Sequence, residues 1–153
     1  MNDKCAAGTG RFLEAAANTM GLPLDDIGPL SLQHRQVIKV TNVCTVFVES
    51  EILAHLARGR SPADILRGVH LAIAGRSVAL MRRVGLEPEI TLTGGVSRNV
   101  GIVKALEERL EQKLNVGADA QYIGAIGAAM FALDRCHAVG AGGGAHVAVD
   151  RRD

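Results

Sequence analysis

Two cysteines that each precede a helical pattern are the residues of this chain best placed to do chemistry. Cys5 is followed by small residues and then by Gly8, Thr9 and Gly10, and Cys44 stands just ahead of a second helical pattern. Glycines let the backbone approach another group closely, and a threonine here can cap the helix behind it. Free amides at a helix start attract phosphate, thiolate or cluster sulfide. The pattern predicts anion or metal chemistry; a structural cysteine beside an ordinary glycine turn is the alternative.

A pair of glycines in the sequence T-G-G-V-S-R-N, here called the glycine motif (residues 93–99), is the second candidate. Paired glycines at the carboxyl end of a strand leave no side chain in the way of a flat ligand, and the backbone amides face outward. Gly94, Gly95 and Asn99 are therefore candidates for contacting a nucleotide. A tight strand-to-helix turn with Ser97 as the helix cap would explain the same residues without a ligand.

The two cysteine segments, N-D-K-C-A-A-G-T-G-R-F-L-E and N-V-C-T-V-F-V-E-S-E, resemble those of the BadF/BadG/BcrA/BcrD ATPase family. The similarity extends from Met1 to about Leu133. The family comprises activators of 2-hydroxyacyl-CoA dehydratases and ATP-binding subunits of benzoyl-CoA reductase. The resemblance implies ATP-dependent transfer of low-potential electrons, with ferredoxin or flavodoxin as donor and an acyl-CoA dehydratase or reductase component as partner.

The resemblance also implies an iron–sulfur cluster. A [4Fe-4S] cluster takes four thiolates, so two cysteines of one chain supply half of its ligands. In the family one cluster bridges two subunits. Cys5 and Cys44 are therefore expected to bind a [4Fe-4S] cluster shared between two chains, in a homodimer or a pseudo-symmetric heterodimer. Helix amides behind both cysteines would stabilise the anionic cluster.

The glycine motif is similar to the adenosine motif of the actin-like ATPase and sugar kinase superfold, and G-A-I-G-A-A from Gly124 resembles its second connecting helix. The implied fold is α/β, an RNase H-like half-domain of the actin-like (ASKHA) type, rich in helix and with a small sheet. By the resemblance, the residues that bind ATP or ADP with Mg²⁺ are Gly8, Thr9, Gly10, Gly94, Gly95, Asn99 and Gly124.

Members of that superfold hold the triphosphate with two Asp-containing hairpin loops, and neither loop is found in this sequence. We therefore expect the chain to correspond to a C-terminal half and to bind adenine nucleotide weakly or undetectably by itself. Residues 1–135 would form this lobe. Residues 136–153, glycine-rich and then charged, are expected to be a disordered tail. No arrangement of nucleophile and base is readable, so no catalytic residue is assigned.

Helices and short strands must position these motifs. Hydrophobic periodicity predicts helices over 11–20, from Cys44 to Gly59, over 62–84, from Ser97 to Leu110 and over 124–133. Strands are expected at residues 37–41, 88–93 and 114–116. In the helix behind Cys44, the residues expected to face the core are Val46, Phe47, Ile52, Leu53 and Leu56.

Composition limits the remaining possibilities. Hydrophobic residues make up 48% of the chain, yet it has three Phe, one Tyr and no Trp, so the core of a single domain must be aliphatic. A formal net charge of +1 without long charge runs argues against nucleic acid and membrane surfaces. Three cysteines without framework spacing favour a reducing, cytoplasmic location. Two other hypotheses are a sugar-kinase-like nucleotide-binding protein with structural cysteines and a non-catalytic dimeric fragment.

Overall fold

The structure is a computed structural model that describes residues 10–41 and 44–141. Six α-helices form this part of the chain: α1 (Gly10–Met20), α2 (Ile27–Ser31), α3 (Thr45–Ala57), α4 (Pro62–Val84), α5 (Val100–Leu110) and α6 (Ile123–Ala141). Short 3₁₀ turns at Gly95–Arg98 and Ala120–Tyr122 precede the last two helices. None of these helices is long and apolar enough to cross a membrane.

Helix α4 is central to the fold, because four of the five other helices of the described part, α1, α2, α3 and α5, pack against it. It begins behind Ser61 in extended conformation, with Pro62 in its first turn, and ends at Gly85, which has a φ of 92°. The predicted bounds of this helix, 62–84, are confirmed. Proline in the first turn and glycine just after the last turn are sequence signals that mark the two ends of a helix. Apolar side chains of α4 are buried from Ile65 to Val78, at Leu66, Val69 and Ile73 among others, whereas Val84 in the last turn is 87% exposed.

The core around α4 is aliphatic, as the composition predicts. Leu66 and Val69 of α4 are fully buried together with Ile27 of α2 and Ile102 of α5. Phe12 of α1 is the one aromatic residue in the core of the described part. Because the core consists of short aliphatic side chains, the helices approach one another closely. Glycines at the closest contacts between helices leave room for this approach.

The expected small sheet is not confirmed. Within residues 10–41 and 44–141 the strand pairing consists of one parallel bridge, between Thr91 and Asn115. The Leu92 amide donates to the Asn115 carbonyl (3.0 Å), and the Asn115 amide donates to the Ile90 carbonyl (2.9 Å). Such a pair is marginal by itself, because strands gain stability from neighbours in a wider sheet.

Residues 37–41, also expected to form a strand, are extended but unpaired among the described residues. Ile38 and Val40 are buried and Val37 is 51% exposed, which is the alternation expected of a strand. The segment passes directly over α4, where a β-carbon on Gly68 would lie 1.7 Å from the Ile38 carbonyl oxygen. Asp64 accepts hydrogen bonds from the backbone amides just before this segment, and these bonds lower its pKa. The chain is extended, but no strand of the described part pairs with it.

The predicted core face of α3 is confirmed only in part. Ile52 is fully buried and Leu56 packs against the core, whereas Val46, Phe47 and Leu53 are 66%, 62% and 54% exposed. Val48, which the prediction did not include, is fully buried. Apolar residues occur on all sides of this helix, so periodicity cannot choose its inner face. Packing against α1 decides it.

Helix α6 extends to Ala141 and does not end at Leu133 as predicted. Its sequence beyond Leu133 lacks proline and contains good helix formers, which explains the longer helix. The first residues of the predicted disordered tail, 136–141, are therefore helical, and residues 142–153 lie outside the described part. Several large apolar side chains of this helix are exposed, namely Ile123, Ile126, Met130, Phe131 and Leu133.

Candidate functional site

A cavity of about 490 Å³ opens between the start of α1, the loop before α2 and the glycine motif. The residues that line it are Gly10, Arg11, Leu13, Glu14, Leu24, Asp25, Gly95, Val96, Arg98, Asn99 and Gln121. Arg11 pairs with Glu14 at 2.9 Å, and Arg98 donates to the side-chain oxygen of Gln121 at 3.3 Å. The wall therefore combines apolar surface with charged and amide groups, as in sites for small polar ligands.

The glycine motif forms one wall of the cavity through a tight turn. Gly94 has a φ of 87°, a conformation that favours glycine, and its amide donates to the Ala120 carbonyl at 2.8 Å. The Ser97 hydroxyl donates to the Gly94 carbonyl at 2.7 Å and closes the turn. A β-carbon on Gly95 would meet no atom within 4 Å, so the backbone there borders open space.

Asn99 caps α5, which corrects the expectation that the helix begins near Ser97. Its side-chain oxygen accepts a hydrogen bond from the Ile102 amide at 3.0 Å. Asparagine is among the preferred N-cap residues, so its position three residues before Ile102 was a usable sequence signal. The same residue lines the cavity.

The start of α1 forms the facing wall and lies next to the glycine motif. A β-carbon on Gly10 would come 3.4 Å from Cγ2 of Val96, so the space between the two segments is no wider than a methyl group. The structure thus brings together Gly10, Gly95 and Asn99, three of the residues predicted to bind nucleotide.

Two other predicted nucleotide ligands, Gly94 and Gly124, do not line the cavity. Gly94 lies within the turn, and Gly124, at the start of α6, is exposed and meets no atom within 4 Å of a built β-carbon. Gly8 and Thr9 lie outside the described residues. Nucleotide binding by all of these residues stays a prediction.

Cys44 occupies the N-cap of α3 in an extended conformation. Its carbonyl accepts from the Val48 amide at 3.0 Å, and its thiol is half-buried and free. Cys5, the other predicted cluster ligand, lies outside the described residues. No group of three or more His, Cys, Asp or Glu side chains that could hold a metal occurs in the described part, so cluster binding also stays a prediction.

Helix α1 connects the cavity to the cysteine helix. Gly10 and Leu13 line the cavity, while the buried side of the same helix, including Phe12 and Ala16, packs in the core. Helix α1 packs directly against α3, which begins behind Cys44. A displacement of α1 at the cavity would therefore reach α3 through close-packed side chains.

A family model described as the BadF/BadG/BcrA/BcrD ATPase family matches residues 1–132. The chain is 42% identical over 135 residues to the (R)-2-hydroxyglutaryl-CoA dehydratase activating ATPase of Acidaminococcus fermentans. The aligned region covers 88% of this chain and 52% of that protein. The chain is 43% identical over 134 residues to the activator of lactoyl-CoA dehydratase of Anaerotignum propionicum, covering 88% of this chain and 52% of the relative. A benzoyl-CoA reductase component of Thauera aromatica is 39% identical over 141 residues, covering 88% and 50%.

Two solved structures are similar to this one. Component A of the (R)-2-hydroxyglutaryl-CoA dehydratase of Acidaminococcus fermentans has a TM-score of 0.84 at 40% identity, covering 89% of this chain and 52% of the other. The ADPNP-bound activator of the 2-hydroxyisocaproyl-CoA dehydratase of Clostridium difficile has a TM-score of 0.86 at 35% identity, covering 96% and 55%. The chain thus spans about half the length of these relatives.

Proposed function

The chain belongs to the BadF/BadG/BcrA/BcrD ATPase family, and we propose that it is part of an ATP-dependent activator that passes low-potential electrons to an acyl-CoA dehydratase or reductase component. The single observation that carries the proposal is the position of α1. This helix lines the cavity beside the glycine motif and packs against α3, whose N-cap is Cys44.

The cavity suits an adenine nucleotide. A cavity of about 490 Å³ is of the size that small-molecule sites commonly have. The open space beside Gly95 can take a flat base, and Asn99 and Arg98 offer polar contacts at its edge. A similar structure, the dehydratase activator from Clostridium difficile, holds ADPNP, which supports nucleotide binding by this chain.

Cys44 is suited to a cluster that two subunits share. A thiolate at the N-cap of α3 would lie among backbone amides that have no partner within the helix, and these amides stabilise negative charge. With Cys5, each chain would supply two of four ligands, and a second copy or a similar protein chain would supply the others. The cluster, when bound, provides the one-electron chemistry.

The exposed side of α3 is suited to the same assembly. Val46, Phe47 and Leu53 present apolar side chains on the helix that Cys44 caps. Apolar surface of this kind is commonly covered by a partner. A second chain that completes the cluster would cover this face of α3.

Nucleotide would act on the cluster through α1 and α3. Binding that shifts the start of α1 changes the packing of α3 and therefore the position of Cys44. The phosphate groups need not touch the cysteines, because the two helices carry the displacement. This is a two-state device that is biased by nucleotide.

The test is anaerobic iron–sulfur reconstitution of the full chain, followed by potentiometric titration with and without MgADPNP. We expect about four irons per dimer and a reduction potential that changes when MgADPNP is added. A protein that stays colourless would contradict the electron-transfer function and favour a nucleotide-binding protein with structural cysteines. A cluster whose potential does not change at a MgADPNP concentration that NMR shows to saturate the chain would contradict the coupling.

A further inference from the structure

His70 lies in the interior of α4 with no exposed surface, and neither ring nitrogen has a hydrogen-bond partner among the described residues. Burial, together with the nearby charge of Arg67, lowers the pKa of His70 to about 4, so the ring is neutral at pH 7. A neutral imidazole carries one donor and one acceptor. Buried polar groups without partners are rare and call for a physical explanation.

The imidazole lies against the first turn of α5. A β-carbon on Gly101 would come within 2.9 Å of Cε1 and 3.0 Å of Nδ1 of His70, so any larger residue would displace the ring. The same β-carbon would lie 2.5 Å from the Ser31 hydroxyl oxygen. That hydroxyl already donates to the Gly28 carbonyl at 2.7 Å. Helices α2, α4 and α5 therefore meet at this point with almost no free space.

Asn99 is the N-cap of α5, two residues before the Gly101 that lies against the His70 ring. Its side chain and the Leu66 carbonyl are close enough to oppose part of the lowering of the His70 pKa, but neither makes a hydrogen bond of normal geometry with the ring. Its oxygen caps α5 at Ile102 and would lie 2.9 Å from a β-carbon on Gly28. Asn99 therefore lies between the cavity on one side and helices α2 and α4 on the other.

We propose that His70 is a positioning residue for the nucleotide site. When nucleotide is bound, the imidazole ring of His70 hydrogen-bonds the side-chain amide of Asn99. This bond fixes the first turn of α5 against the ligand. This inference rests on the proposed function. A small shift of Asn99 toward the ring would form the bond that the present geometry leaves unmade. A ligand that holds Asn99 in the shifted position gains the free energy of that bond, since the bond stabilises one of two arrangements.

The test is titration of the ¹⁵N-labelled full chain with MgADP, followed by NMR, which detects weak binding at millimolar ligand. Replacing the ring by His70→Leu should raise the Kd roughly fivefold, the equivalent of one ordinary hydrogen bond. The melting temperature should stay the same or rise, because the replacement removes unsatisfied polar atoms from the interior. His70→Gln keeps a donor and an acceptor and should restore most of the affinity.

Val69→Ala is the matched control, because Val69 is equally buried on α4 and its truncation should lower stability without changing the Kd. Equal Kd values for the wild type and His70→Leu would overturn the inference and leave the proposed function standing. No binding of MgADP by the wild type would overturn the nucleotide proposal and the inference together. The wild type gives a second measurement: ring ¹⁵N shifts of His70 that do not change at saturating MgADP would also overturn the inference.

Discussion

Gly10 of α1 faces Val96 of the glycine motif so closely that a β-carbon at position 10 would lie 3.4 Å from Cγ2 of Val96. Segments that are distant in the sequence thereby form two walls of one cavity. Because α1 also packs on α3, an occupant of this cavity is one helix away from Cys44.

Gly95→Val should weaken nucleotide binding while the chain still folds. The built β-carbon meets no atom within 4 Å, so the larger side chain enters the cavity and not the core. MgADP titration followed by NMR should show at least a tenfold rise in Kd, if about 1.4 kcal/mol or more of contact is lost. Gly117→Val is the control, because Gly117 is also unobstructed and lies away from the cavity wall. An unchanged Kd in Gly95→Val would mean that nucleotide binds elsewhere.

Cys44→Ala should abolish cluster assembly. The substitution removes one of the two thiolates that each chain is proposed to supply, and a shared cluster would lose two of four ligands. Iron and sulfide analysis after anaerobic reconstitution measures the effect. Cys136→Ala removes an exposed thiol of α6 and should leave the iron content unchanged. Normal iron content in Cys44→Ala would rule out the proposed ligand.

Dimerisation should depend on the exposed face of α3 and on the cluster. Phe47→Asp places a charge at a position that is 62% exposed, so the monomer should still fold. The dimer should weaken, because dimerisation would bury that charge. Chelation of iron should weaken the dimer as well, because a ligand that binds only the dimer stabilises it by mass action. Sedimentation analysis measures both effects.

Phe131→Asp is the matched control for assembly, because Phe131 is a 75% exposed phenylalanine on α6. The dimer should persist in this variant. If Phe131→Asp dissociates the dimer and Phe47→Asp does not, the two chains associate through α6, and the proposed cluster-bridging assembly is wrong.

Acidification should destabilise the chain through His70. The unfolded chain takes up a proton near pH 6.5 and the folded chain only near pH 4, so the unfolded state binds more protons between these values. Stability is therefore full above pH 6.5 and falls as the pH decreases toward 4, by about 2 kcal/mol between pH 7 and pH 5. Urea unfolding at both pH values measures the change. Between pH 7 and pH 5, the free energy of unfolding of His70→Gln should decrease less than that of the wild type, by about the same 2 kcal/mol. An identical pH dependence of the wild type and His70→Gln would contradict the burial of a neutral imidazole.

The sequence by itself determined the lengths of the well-marked helices and the character of the core. Ser61, Pro62 and Gly85 are local signals, so the bounds of α4 could be read from them. The aliphatic core followed from composition. The resemblance of the cysteine and glycine segments indicated the family, because these motifs consist of contiguous residues.

Only the tertiary structure decided which face of α3 is buried and whether an extended segment pairs as a strand. Both outcomes depend on neighbours that are distant in sequence. Where α3 packs on α1 and α4, Val48 is buried and Phe47 is exposed, and residues 37–41 lack a paired strand in the described part. The same holds for His70, which local sequence does not distinguish from an ordinary core residue of α4. Its significance arises because Gly28 and Gly101 let three helices converge behind Asn99, and a three-body contact of this kind has no signature in local periodicity.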